Sequence, residues 1–437
     1  MRSVSTLALT AALGVVGLAL APTANAAGPD DSVHYLATQL AAGGDHLAVE
    51  AGGQTYPDHG LTIDAVLAMT AAGSGGDAST AATDWVVANA SGYYGYGEDV
   101  YSAATAKLLT FASARNLNPR DVGGADLVAQ LRSLEADTGQ FVDQSEWGDY
   151  SNTLGQSFAL IGLERAGINP STASVDFLLQ QQCTDGGFSL EFKDGCVSDP
   201  DATSLAVQAL DVVGGNDAAV QRAADYLEGR QGADGGIGGG VATEGVNANS
   251  TGLAAVAFAV TGRTEARAEA LAYLRTLTFG CDTPTLAGAI AYNRADFDAA
   301  VALGADAQPD GTITRATAQA VLGLSGTSYA HVTAQGQAAA TPDVDCTAAG
   351  DDDAQTPTEP AQPTEPAEPA EPTGTDDAAG PTTPQQPAEP VRPEMVQTDG
   401  VVAAPHVGLL GLLAAGAGGA AAALVLVLRR RAATQRH

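Results

Sequence analysis

Basic residues are scarce in this chain of 437: 19 Lys and Arg stand against 51 Asp and Glu, a formal net charge of −32. No basic patch is visible along the sequence, which argues against a nucleic-acid partner. Histidine is rare too. The six are His34, His46, His59, His331, His406 and His437, and no Cys and His stand at ligand-like spacing, so no metal is expected. No cofactor is expected either. Aromatic residues are few, with nine Phe, eleven Tyr and two Trp, so no cavity of this protein can be richly lined with rings.

What the chain does have is a period. FLLQQQCTDGGF, from Phe177 to Phe188, reads as the end of a helix followed by a turn closed by Asp185, Gly186 and Gly187. The pattern returns 49 residues later as YLEGRQGADGGI, from Tyr226 to Ile237. Degenerate copies at similar steps complete six repeats, anchored at Leu40, Ala88, Glu135, Gln182, Gln231 and Thr278. A sustained period of about 48 residues is the signature of a repeat architecture.

Each repeat carries two helical segments of different character. Segments before an anchor are amphipathic: in Asn216 to Glu228, Val220, Ala223, Ala224 and Leu227 share a face, with Asp217, Gln221, Arg222, Asp225 and Glu228 opposite. Segments after an anchor, such as Thr153 to Leu163, Ser204 to Val213 and Thr251 to Val260, are apolar almost all round and must be buried on every side. Six buried helices alternating with six amphipathic ones predict an all-α fold, an α6/α6 toroid of six helical hairpins over residues 30–346. About twenty extra residues, Leu286 to Gly304, precede a last inner helix expected at Thr314 to Leu324.

The string Q-x-x-D-G-G-F, from Gln182 to Phe188, resembles the repeat of the terpenoid cyclase and protein prenyltransferase superfamily. The resemblance covers about 300 residues and implies an α6/α6 barrel, a fold those enzymes share with cobalamin carriers and complement thioester domains. Fold does not choose among these activities. The Cys-Gly-Glu-Gln string that a thioester domain needs is missing, as is the Asp, Cys, His zinc set of a protein prenyltransferase. In class II terpene cyclases an Asp-rich motif, D-x-D-D, protonates the substrate; here Asp199, Pro200, Asp201 and Ala202 occupy the corresponding region. By that resemblance Asp201 matches the proton donor, while Ala202 removes the last supporting acid. Asp99, Asp149 and Asp199 stand 50 residues apart, each just ahead of an inner helix, where N-caps belong.

The two ends are of other kinds. Residues 1–26 combine Arg2, an apolar run from Leu7 to Ala21 and a small-residue site at Ala24-Asn25-Ala26, the pattern of a secretory signal peptide. Export makes disulfides the default for Cys183, Cys196, Cys281 and Cys346, and the pairing favoured is Cys183 with Cys196 and Cys281 with Cys346. Residues 347–403 are rich in Pro and acid and read as a disordered, extended stalk. Residues 404–428 form an uncharged apolar stretch long enough for one transmembrane helix, and Arg429, Arg430 and Arg431 in the tail, 429–437, place the C-terminus in the cytoplasm. The expected location is the cell membrane, with the toroid outside. Val396 to Gly400 is a distorted echo of a sortase signal, so attachment to the cell wall is the alternative.

Aromatic and acidic residues cluster in the loops leading into the inner helices, which all open at one end of a toroid. Tyr93, Tyr94, Tyr96 and Tyr101 fall in the second repeat, Phe141, Trp147 and Tyr150 in the third, and Phe188 and Phe192 in the fourth. Glu98, Asp143, Glu146, Glu191 and Asp194 share that mouth. Tyr93, Tyr94, Tyr96, Trp147, Tyr150, Phe188 and Phe192 are the candidate ligand-binding residues, suited to a partly apolar small molecule such as a corrinoid, an isoprenoid or a glycan. Phe141 and Phe188 have a second reading as repeat residues packing helix ends. Two functions follow: a membrane-anchored binding domain, serving an adjacent membrane transporter for example, or an exported cyclase- or prenyltransferase-like enzyme with Asp201 as its acid.

Overall fold

The computed structural model describes residues 28–346, apart from 52, 194, 241–244 and 345. The signal peptide, stalk, membrane span and basic tail expected from the sequence therefore lie outside the described residues, as does Asp194. Among the described residues no helix is long and apolar enough to cross a membrane.

Six helix pairs follow one another around a ring. They are α1 (Pro29–Ala42) with α2 (His59–Ala72), then α3 (Gly76–Ala88), a single turn α4 (Ser91–Tyr94) and α5 (Ser102–Ala114). Next come α6 (Leu127–Ser133) with α7 (Thr153–Arg165), α8 (Thr172–Gln180) with α9 (Pro200–Val213), and α10 (Asp217–Arg230) with α11 (Ala248–Thr261). The sixth pair is α12 (Thr264–Thr276) with α14 (Gly311–Ser325), and the insertion between them forms α13 (Arg294–Leu303). Inner helices α2, α5, α7, α9, α11 and α14 pack each on the next, and α14 returns to α2 and α1. The expected toroid is thus closed, with inner helices starting up to four residues earlier than the apolar pattern suggested because their first turns are polar.

Local chemistry fixes where the inner helices begin and end. Asp58, Asn152, Asp199, Asn247 and Asp310 each accept a backbone N–H as N-cap of α2, α7, α9, α11 and α14. Gly73, Gly262 and Gly326, all in the left-handed conformation, close α2, α11 and α14. Asp99 and Asp149 do not cap. Asp99 accepts the Glu146 amide, and Asp149 accepts the amides of Asp143 and Ser151. Only Asp199 of the 50-residue series is a cap, so that spacing reflects the repeat length rather than a shared role.

The Q-x-x-D-G-G-F string is a joint between repeats. Gln182 Nε2 donates to Gly186 O at 2.9 Å within its own turn and to Ala219 O of α10, in the next repeat, at 2.8 Å. Gln231 does the same with Gly235 O and Ala266 O of α12. In the third repeat, where Glu135 replaces the anchor glutamine, Gln156 from α7 supplies the bonds to Gly139 O and Ser174 O. The ring closes in kind: Ser32 Oγ of α1 donates to Gly288 O, in the turn of the sixth repeat, at 2.7 Å.

Each connector from an outer to an inner helix lies at the N-terminal end of the inner ring. Among the described residues four of them double back as antiparallel hairpins: β1 (Ala48–Ala51) with β2 (Gln54–Pro57), β3 (Gly95–Tyr96) with β4 (Asp99–Val100), β5 (Phe188–Ser189) with β6 (Ser198–Asp199), and β7 (Ile237–Gly238) with β8 (Val246–Asn247). The opposite end is covered by the chain after α14. Arg165 donates to the carbonyls of Tyr329 and Val332, Gln208 Oε1 accepts the Tyr329 amide, and Ala334 N–H reaches Ala114 O. Gln337 joins Ser74 and Arg115, and Pro342 O lies 2.9 Å from His34 Nδ1 on α1. This strap ends at Cys346, bonded to Cys281; Cys183 is bonded to Cys196, with Cα separations of 5.2 and 5.5 Å. Both pairings are those the sequence favoured.

Candidate functional site

Lys107 on α5 and Asp64 on α2 form an ion pair of 2.7 Å with both side chains fully buried. Lys107 Nζ lies 5.9 Å from the Phe158 ring centre, and Phe158 meets Tyr329 of the strap edge to face at 5.0 Å. Ser157, Gln208, Asn249 and Gln319, on the other inner helices, are buried as well. Lys107 and Asp64 were not singled out in the sequence, although each is the lone charge in an otherwise uncharged inner helix, and that is the signal that points to them.

At the mouth, the loops of repeats two, three and four are bonded into one platform. Asp143 Oδ1 accepts both the amide and the hydroxyl of Ser102 at 2.8 Å, and so caps α5, whose own N-cap residue, Tyr101, supplies no side-chain acceptor. Its Oδ2 accepts the Tyr150 amide. Burial pushes the Asp143 carboxyl above the usual range, opposed by these hydrogen bonds, while the charge of nearby Asp149 adds to the rise. Val100 and Gln144 exchange backbone hydrogen bonds, and Glu146 N donates to Asp99, the cross-strand partner of Tyr96. Thr153 N–H donates to Leu190 O, joining the fourth loop to the third.

The seven candidate aromatic residues divide on this platform. Tyr96, Trp147 and Tyr150 are 38, 45 and 49% exposed, and the Tyr150 hydroxyl donates to Trp147 O at 2.9 Å. These three belong to one bonded unit. Tyr94 is half-buried against the core, and Tyr93 is buried, its ring stacked at 6.2 Å on His59. Phe192 packs edge to face on Phe177 at 4.9 Å. Phe188 is fully buried: its amide donates to Thr203 Oγ1, and its ring lies in the core, as does Phe141. Phe188 is therefore corrected from a ligand residue to a repeat residue, the role that Ile237 and Ile290 fill with the same amide contacts to Thr251 and Thr317.

Asp201 stands on the other side of the mouth, at the second position of α9. It is 3% exposed, its amide donates to the capping Asp199, and Tyr226 and Tyr292 sense its charge. Both phenols are pushed up to about 12, by burial first; Arg230 opposes the rise at Tyr226, whereas Asp201 and Asp296 add to it at Tyr292.

Charge is distributed unevenly between the two ends. Residues 28–346 contain 39 Asp and Glu and 13 Lys and Arg. Among the described residues, the six connectors of the mouth (43–58, 89–101, 134–152, 181–199, 231–247 and 277–293) hold 15 acids and one basic residue, Lys193, which is paired with Glu191. The short connectors at the opposite end hold Arg115, Arg120 and Arg263 against Asp121 and Asp126. Among the described residues no group of three or more His, Cys, Asp or Glu is placed to hold a metal ion.

No family model matches the sequence, and no curated protein matches it. Solved structures do. A variant of the type II terpene cyclase MstE from Scytonema, in complex with geranylgeranyl dihydroxybenzoate, aligns over 68% of this chain and 96% of its own, at 12% identity and a TM-score of 0.50. A protein from Actinoplanes aligns over 68 and 98% at 18% identity with a TM-score of 0.49, and an unsaturated glucuronyl hydrolase specific for heparin over 68 and 95% at 11% with a TM-score of 0.48. At such identities the likeness establishes the fold alone: this chain has the α/α toroid seen in the terpene cyclase.

Proposed function

We propose that this protein is a surface-displayed binding domain whose mouth platform takes an extended carbohydrate. The observation that carries the reading is the exposure of Tyr96, Trp147 and Tyr150 on loops locked to one another. An isoprenoid gains about 0.8 kcal/mol for each methylene it buries, so it needs an enclosed chamber. The Asp64–Lys107 pair would set two charges among the inner helices where such a chain would have to lie, which also weighs against a cyclase or prenyltransferase acting through Asp201. A sugar chain, by contrast, needs only flat ring faces for its apolar sides and rim groups for its hydroxyls, and the platform offers both. Export is supported by the two disulfides and the signal-like N-terminus, and the apolar C-terminal segment supports a membrane anchor that keeps the captured ligand near a transporter.

Binding of neutral and amino oligosaccharides, followed by calorimetry, tests the site. Trp147→Ala is expected to weaken capture by about 1–3 kcal/mol without changing the unfolding midpoint. Unchanged affinity would place the site elsewhere, and binding of no member of the panel would end the carbohydrate reading. Display is tested separately. Protease added to intact cells is expected to release a soluble fragment carrying both disulfides, by cutting between residues 347 and 403. Full protection of that fragment inside the cell would refute surface display.

A further inference from the structure

The carbohydrate reading leaves the charge of the ligand open, and the mouth supplies an answer. Around the exposed rings of Tyr96, Trp147 and Tyr150 stand Glu98, Glu146 and Asp149, all exposed and all within the two loops joined through Asp99. Those loops, 89–101 and 134–152, contain no Lys or Arg. The nearest loop with a basic residue, that of the fourth repeat, neutralises it with Glu191. Arginines that reach the mouth loops, such as Arg132, Arg230 and Arg315, are bonded to Glu135, to the carbonyls of Gly238 and Gly239, and to Asp58, so the charges beside the three rings are acidic and disfavour an anionic glycan there.

Resting on the carbohydrate reading, we propose that the mouth selects a cationic glycan, a chain of amino sugars whose amines are not acetylated. Such a unit presents an apolar pyranose face to a ring and an ammonium group at its edge, where a carboxylate can accept its N–H. Indole and phenol faces also attract the cation directly. Each exposed charge pair is individually weak, but several acting on one extended ligand raise both the encounter rate and the preference over a neutral chain of the same length. A linear polyamine would satisfy the carboxylates and leave the ring faces unused, so the combination favours the amino sugar.

The test compares hexamers of glucosamine and of N-acetylglucosamine binding to the full-length chain, at mildly acidic pH where the free amines are charged. The glucosamine hexamer is expected to bind about tenfold more tightly at ~0.02 M NaCl, and to lose that advantage at ~0.5 M. The double variant Glu98→Gln, Glu146→Gln is expected to remove most of the preference, weakening the glucosamine hexamer far more than the acetylated one. Trp147→Ala should weaken both. Equal affinity for the two hexamers would overturn the charge proposal and leave the carbohydrate reading standing. Binding of neither overturns both. If polylysine binds as tightly as the glucosamine hexamer and Trp147→Ala does not affect either, the mouth is a general polyanion and the amino-sugar proposal is wrong.

Discussion

Replacing Lys107 by Met is expected to destabilise the domain by about 3–5 kcal/mol, because the substitution breaks a buried ion pair. Size is not the cause. Met fills nearly the same volume, so the transfer and cavity costs are small, and the loss comes from removing the ammonium group with which the buried Asp64 carboxylate pairs. The comparison that isolates this cause is the double variant Asp64→Leu, Lys107→Met. Removing both charges removes the desolvation penalty as well, and replacements of this kind are often neutral or stabilising. Denaturant unfolding should therefore rank the proteins with the single variant far below both the parent and the double variant. If single and double variants unfold together, the pair contributes nothing specific and the loss is a packing effect. The pair has a second consequence for the architecture: it joins α2 to α5, so the charges set the register between the first two repeats.

Gly288→Ala is expected to cost roughly 3–5 kcal/mol, the sum of two effects at one atom. Gly288 has φ +81°, where an L side chain is strained, and a Cβ there would stand 2.1 Å from Asp31 O, the backbone of α1. The backbone of α1 cannot withdraw without releasing the bond from Ser32 Oγ to Gly288 O that closes the ring. Gly73→Ala is the control, since Gly73 has φ +79°, in the left-handed region, and open space around its Cβ position. It should lose only the conformational part, about 1–2 kcal/mol. Thermal or denaturant unfolding of the two variants separates contact from conformation; equal losses would mean that the sixth turn and α1 adjust freely. Gly139, Gly186 and Gly235 face the same constraint against Ala173, Arg222 and Glu269, so each joint of the ring depends on one residue without a side chain.

The repeat length, the two layers and the Cys183–Cys196 pair were legible because each leaves a mark within a few residues of itself: a glycine-closed turn, a polar or apolar helix face, cysteines flanking one loop; Cys281 and Cys346, 65 residues apart, then followed as the remaining pair. The site was only partly legible, since its meaning lies in contacts between loops of different repeats. Asp143 caps α5 from 41 residues away, and no local pattern distinguishes it from Asp99 or Asp149. Phe188 and Trp147 looked alike as loop aromatics. They differ because Phe188 occupies the last position of the repeat string, whose counterparts Phe141, Ile237 and Ile290 are all buried. Ile237, at that position in the second clear copy of the string, was the available sign of a core site. Trp147, three residues before Tyr150, has no counterpart in the string, and its place outside the repeat is what leaves its ring exposed.

The strap after α14 also decides how the protein responds to being pulled. Its hydrogen bonds to Ala114, Ser74 and α1 are arranged in sequence, so tension entering at its far end would break them one at a time, each alone too weak to resist. The Cys281–Cys346 bond stands between those contacts and any chain that follows. A force applied beyond Cys346 passes through sulfur into the loop after α12 and bypasses the strap, so the base of the toroid stays sealed while the mouth end takes the strain.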